Sequence, residues 1–170
     1  MTIEAAVPER ATAPVSVLLE GGRYMDVAGL TDGDMETLYH LAYSQYRQGQ
    51  YDDAEKTFRV LCFHDHLSER FWLGLGAARQ MLKDYEGAIL AYSMIPESGG
   101  FNPLAPLHAA ECYLALGLYE EALAGLEGAL EWAGNSAEPE AIVKHIEVVF
   151  EALEHLVAAL PDEPAAEDAT

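Results

Sequence analysis

The stretch Arg70-Phe71-Trp72-Leu73-Gly74-Leu75-Gly76, followed after a turn by Tyr85-Glu86-Gly87-Ala88-Ile89-Leu90-Ala91-Tyr92, decides the fold of this chain. Stepping 34 residues in either direction meets the same residue types again. Tyr51, Tyr85 and Tyr119 form one column, Ala54, Ala88 and Ala122 a second, and Phe58, Tyr92 and Leu126 a third. Upstream, Leu41, Leu75 and Ala109 keep the period, as do Ala42, Gly76 and Ala110. Gly49 and Gly117 mark a turn in the first and third copies, where the second has Lys83. Several columns at one spacing mark an internal repeat. Apolar residues three and four apart on each side of a turn make each copy a helix hairpin. The alanine column lets two helices approach closely, and the aromatic column fills the gap between them.

This is the tetratricopeptide pattern, with Trp72, Leu75, Gly76, Tyr85, Ala88 and Tyr92 as its fullest copy. The expected fold is all-α: three helix-hairpin repeats over about 35–68, 69–102 and 103–136, with an N-terminal helical segment and a C-terminal capping helix over 138–160. Together they form a single domain over 14–160, flanked by disordered tails at 1–13 and 161–170, the second acidic. Ser68 is placed to cap the first helix of repeat two, and Asn102 followed by Pro103 to start repeat three. Pro96 to Pro103 should cut the second helix of repeat two short. After Pro139, Ile142, Ile146, Val149, Leu153, Leu156 and Leu160 share one stripe of the capping helix. Val15 to Leu30, broken by Gly21 and Gly22, reads as a short helical element packed on repeat one or on a second subunit.

Composition narrows the function. With 170 residues, 51% of them hydrophobic, the chain builds one domain with a core. It holds 9 Lys and Arg against 29 Asp and Glu, a formal charge of −20. Such a surface repels phosphate backbones and anionic lipid, so neither direct nucleic-acid binding nor membrane binding is expected. Two cysteines are too few for a disulfide framework. With no signal-like or membrane-spanning stretch, this points to a soluble protein of a reducing compartment, the cytoplasm.

The first helix of repeat one carries Tyr39, Tyr43 and Tyr46. Their spacing of four and three sets them on one stripe, centred roughly 115° from the Leu38, Leu41, Ala42 and Gln45 face that closes the hairpin. The 34-residue columns continue it as Leu73 and Leu107, Ala77 and Glu111, then Gln80 and Leu114. The expected result is an apolar trough with hydroxyl and amide handles on the concave side of the repeats, suited to reversible binding of an extended apolar segment. On this reading, replacing Tyr39 and Tyr43 together by alanine leaves the fold intact. His64 and His66 read as loop histidines, and Cys112, one turn from His108, as a core residue, so no metal site is expected. No phosphate-binding glycine loop and no nucleophile elbow occur, so neither a cofactor nor catalysis is expected.

From Leu38 to Cys112 the text is more specific than a generic repeat. Leu38 to Tyr46, Gly49 to Ala54, Phe58 to His66, Arg70 to Gln80 and His108 to Cys112 resemble the class II, SycD/LcrH-like translocator chaperones of type III secretion. The resemblance implies a cytoplasmic chaperone of a Gram-negative bacterium, without enzymatic activity, that holds two hydrophobic pore-forming translocator proteins before export. It implies an extended client segment of the form Pro-x-Leu-x-x-Pro in the trough, lined by Tyr39, Tyr43, Tyr46 and Tyr51, with Leu61, Leu73 and Leu107 beside them. It further implies a weak homodimer through Val17, Leu18 and Leu19, and assistance to a transcription activator as an alternative role. A clamp for a C-terminal carboxylate fits poorly, because it needs Lys, Arg and Asn in the trough and the lining offers only Arg70, set against the acids Glu36 and Glu111.

Overall fold

The computed structural model describes residues 17, 21–95, 102–134 and 140–159. Among them are eight helices and no strand, as the repeat pattern requires. The chain divides into two compact units, Met1–Gly100 and Phe101–Thr170. The expected tails at 1–13 and 161–170, and the segment Pro96 to Gly100, lie outside the described residues.

The first unit opens with a short helix α1 (Tyr24–Ala28), followed by two hairpins: α2 (Asp32–Arg47) with α3 (Tyr51–His64), and α4 (Glu69–Met81) with α5 (Tyr85–Ser93). Thr31 starts α2. Its hydroxyl accepts from the Asp34 N–H at 3.2 Å, and the Asp34 carboxylate accepts from the Thr31 N–H at 2.8 Å. The Thr31 hydroxyl also donates to the Asp34 carboxylate at 2.6 Å, and this bond, with the one from the Thr31 N–H, holds the Asp34 carboxyl below its ordinary value. Asp84 caps α5 by accepting from the Gly87 N–H at 3.1 Å. Ser68 sits at the N-cap of α4, but its side chain makes no capping bond, so the expected cap does not form. The turn column is a left-handed position throughout: φ is 78° at Gly49, 76° at Gly117 and 63° at Lys83. Lys83 therefore holds a conformation that suits glycine.

The core of this unit gathers Met25, Met35, Ala42, Ala54, Phe58, Leu61, Phe71, Leu75 and Ala78. The repeat columns explain it. A Cβ on Gly76 would collide with the Tyr92 ring, so only glycine lets α4 and α5 meet there. Gly74, which the repeat does not single out, does the same for α3 and α4, because a Cβ there would enter the Phe58 ring. Gln45 ties the first hairpin, its side-chain carbonyl accepting from the Thr57 hydroxyl at 2.9 Å. Leu75 is buried, whereas its column mate Leu41 is 49% exposed and does not close the hairpin as expected. The reason is position: α4 packs between α3 and α5, while α2 has no preceding hairpin among the described residues.

The second unit holds α6 (Leu104–Leu116), α7 (Tyr119–Gly134) and α8 (Glu140–Ala159). Asn102 leads into α6 by accepting from the Leu104 N–H at 2.9 Å. Its core is Leu107, Ala110, Ala122, Leu126, Ala129, Ala133, Ile146 and Leu153. On α8, Ile146 and Leu153 are buried as the stripe predicts. Leu156 is exposed instead, because Val157 takes the inward place in the last turn. Leu160 lies outside the described residues.

Candidate functional site

Tyr39, Tyr43, Tyr46 and Tyr51 come together in the first unit, in two ring pairs. Tyr39 and Tyr43 stack at 6.2 Å with 15° between planes. Tyr46 meets Tyr51 edge-on at 5.4 Å. The rings are not equally free. Tyr39 is half-buried and packs on Phe71 at 5.9 Å and Phe58 at 6.1 Å. Tyr46 also packs against the core, and burial, with Tyr51 adding to it, raises its phenol above the ordinary value. Tyr43 is 48% exposed. The spacing alone predicts three rings pointing away from the hairpin seam. The structure instead embeds Tyr39 and Tyr46 at the foot and leaves Tyr43 as the exposed tip. The double replacement of Tyr39 and Tyr43 therefore removes part of the core.

The remaining expected lining residues separate. Leu73, on α4, is half-buried and keeps an accessible edge. Leu61 is 0% exposed, because it shares the inner stripe of α3 with Ala54 and Phe58. Leu107 is 4% exposed inside the core of the second unit. Both are core residues here and present no surface to a client. Gln80 is engaged within its own hairpin, its carbonyl accepting from the Tyr92 hydroxyl at 2.9 Å. Of the dimer residues, Val17 is half-buried and its carbonyl accepts from the Gly22 N–H at 2.7 Å, while Leu18 and Leu19 lie outside the described residues.

A charged pair borders the tyrosines. The Arg70 guanidinium lies 4.6 Å from the centre of the Tyr39 ring and 5.0 Å from that of Phe71. Its Nη2 donates to Glu36 Oε2 at 2.6 Å. That bond holds the Glu36 carboxyl below its ordinary value. Glu36 and Arg70 are 34 residues apart, so they occupy the same repeat position on α2 and α4. The column spacing carries this pairing, whereas the ring stacking appears only once α2 and α4 are packed.

A cavity of about 640 Å³ also opens in the first unit, lined by Cys62, Phe63, Trp72, Leu75, Leu90 and Met94 among others. It contains none of the tyrosines. His64 ends α3 against the rings of Tyr24 and Phe63, and its buried Nδ1 has no hydrogen-bond partner, so it is not the satisfied loop histidine expected. His108 pairs with Glu111 at 3.0 Å. Burial pushes the Cys62 thiol up to about 12 and the Cys112 thiol up to about 11. Among the described residues no group of three or more His, Cys, Asp or Glu side chains is arranged to hold a metal ion.

The tetratricopeptide-repeat family profile matches residues 35–66. Low calcium response locus protein H of Yersinia pestis is 38% identical over 138 residues, which cover 81% of this chain and 82% of that protein. The chain belongs to the SycD/LcrH family of type III secretion translocator chaperones. The solved structure of SycD from Yersinia enterocolitica, in complex with a peptide of the translocator YopD, superposes with a TM-score of 0.70 at 39% identity, covering 75% of this chain and 97% of that one. A type III secretion complex from Aeromonas hydrophila superposes at 0.83 with 34% identity, covering 88% of this chain and 99% of that one. The stacked tyrosines, with Tyr43 exposed, present an aromatic surface with hydroxyl tips. No described helix is long and apolar enough to cross a membrane.

Proposed function

We propose that this chain is a cytoplasmic chaperone that binds and stabilises the hydrophobic translocator proteins of a type III secretion system before export, by contact and without catalysis. The observation that carries the reading is the tyrosine face of α2: Tyr43 exposed and stacked on an embedded Tyr39, with Tyr46 meeting Tyr51 along the same helix. Tyrosine offers broad contact area with few rotors and a polar tip. A Pro-containing client segment, of the form Pro-x-Leu-x-x-Pro, is extended before it binds, so little ordering entropy is lost on the aromatic surface. Burying one short segment in this way gives roughly micromolar to tens-of-nanomolar affinity, compatible with later hand-over.

The test is co-expression with the genes that neighbour its own, followed by identification of what co-purifies. Tyr43→Ala should lower the amount of translocator that co-purifies while the chaperone stays folded. Unchanged co-purification would sink the assignment of this face. Self-association through Val17, Leu18 and Leu19 belongs to the same reading, and sedimentation of a Val17→Asp variant tests it. Assistance to a transcription activator is tested by a reporter assay with the translocators present and absent.

A further inference from the structure

We propose that Arg70 recognises the main chain of the client: the free edge of its guanidinium donates to a backbone carbonyl of the extended segment lying across Tyr39 and Tyr43, and Glu36 limits how strongly it does so. The proposal rests on the tyrosine face being the client site.

Arg70 is built as a fixed donor. Its guanidinium carbon is held over the rings, 4.6 Å from the Tyr39 centre and 5.0 Å from that of Phe71. One nitrogen, Nη2, is committed to Glu36 at 2.6 Å. A guanidinium carries five N–H donors in a rigid plane. Nε and Nη1 make no other hydrogen bond among the described residues, and the side chain is 47% exposed. The two ring contacts and the ion pair thus hold the guanidinium in place while its remaining donors stay open beside the aromatic surface.

The chemistry of the client supplies the acceptor. An extended, Pro-containing segment makes no internal backbone hydrogen bonds, so its carbonyls need outside donors. Tyrosine rings cover its apolar side chains but leave those carbonyls to be satisfied. A neutral carbonyl fits better than a carboxylate for two reasons. Glu36 already neutralises Arg70, and the chain carries −20, which repels an anionic group.

The experiment measures binding of a fluorescently labelled synthetic peptide, Ala-Pro-Ala-Leu-Ala-Ala-Pro-Ala, to the full chain by anisotropy, with thermal melts to confirm folding. Arg70→Gln should weaken binding about fivefold to tenfold, and Arg70→Lys, which keeps the charge but loses the planar fork, about threefold. Glu36→Gln keeps an acceptor for Nη2 and removes the competing charge, so it should tighten binding by up to about threefold and not loosen it. A merely structural ion pair would move the Arg70 and Glu36 variants in the same direction. In peptides with one amide replaced by an ester, a weaker acceptor, at least one position should cost the wild type affinity and leave Arg70→Gln indifferent. Binding by Arg70→Gln within twofold of wild type, loosening by Glu36→Gln, or equal ester effects in both proteins overturns the proposal. Tyr43→Ala separates the two levels. If wild type does not bind the peptide, or Tyr43→Ala binds it equally well, the tyrosine-face reading falls and takes Arg70 with it. If Tyr43→Ala weakens binding and Arg70→Gln does not, only the role of Arg70 falls.

Discussion

Tyr39 and Tyr43 are four residues apart on one helix, yet their replacement by alanine should have different consequences. The Tyr43 ring is about half exposed and stacks on Tyr39 alone. An aromatic pair contributes about 0.5–1.5 kcal/mol beyond burial, and a half-exposed pair the lower part of that range, so Tyr43→Ala should cost about 0.5–1 kcal/mol. Tyr39 touches Phe58, Phe71 and Tyr43 and also carries the Arg70 guanidinium. Truncating a fully buried large aromatic costs about 3–5 kcal/mol; half-burial scales this to about 1.5–2.5 kcal/mol for Tyr39→Ala. Urea unfolding followed by helical circular dichroism measures both, since the midpoint moves with stability while the slope stays fixed. Client retention should fall in both variants, but Tyr43→Ala should lose it with much the smaller loss of stability. Equal midpoint shifts in the two variants would refute the division of this face into an embedded foot and an exposed tip.

Lys83→Gly should stabilise the protein. A left-handed residue with a side chain costs about 1–2 kcal/mol, against about 0.5–1 kcal/mol for the extra freedom of glycine in the unfolded chain, so the net gain is about 0.5–1 kcal/mol. A differential scan should show a melting rise of about 1–4 °C, and a fall would contradict the strain. The Cys62 and Cys112 thiols are held up to about 12 and about 11 by burial, so a thiol reagent at pH 8 should label neither in the folded protein and both in guanidinium. The sign follows from the protonated form being favoured on folding. This contribution is complete below the ordinary thiol value of 9.0 and is lost as pH rises toward the folded values.

The helical architecture is legible in the chain because a repeat writes each packing requirement more than once. Ala54, Ala88 and Ala122 are fully buried, as the alanine column requires, and the Tyr92 ring of the aromatic column sits against Gly76. The turn column is left-handed even where lysine occupies it. These features depend on contacts within a hairpin or between successive hairpins, and such contacts recur at a fixed offset. The client surface is less legible. A helical stripe gives the direction of a side chain but not what packs over it, so Tyr39, Tyr43 and Tyr46 look alike in sequence. The placement of Phe58 on α3 and Phe71 on α4 makes Tyr39 a core residue as well as a surface one. Leu61 and Leu107 enter the lining from resemblance and column position, and both are closed off by neighbouring helices.

By itself the sequence determined the period, the hairpins and the family, since each follows from residue types at fixed separations along the chain. Only the tertiary structure decided which tyrosine stays in water and that the Arg70 guanidinium sits over the Tyr39 ring. The physical reason is that exposure and ring stacking depend on the distance between α2, α3 and α4, a quantity set by the volumes of Phe58 and Phe71 and by Gly74, which makes room for the Phe58 ring.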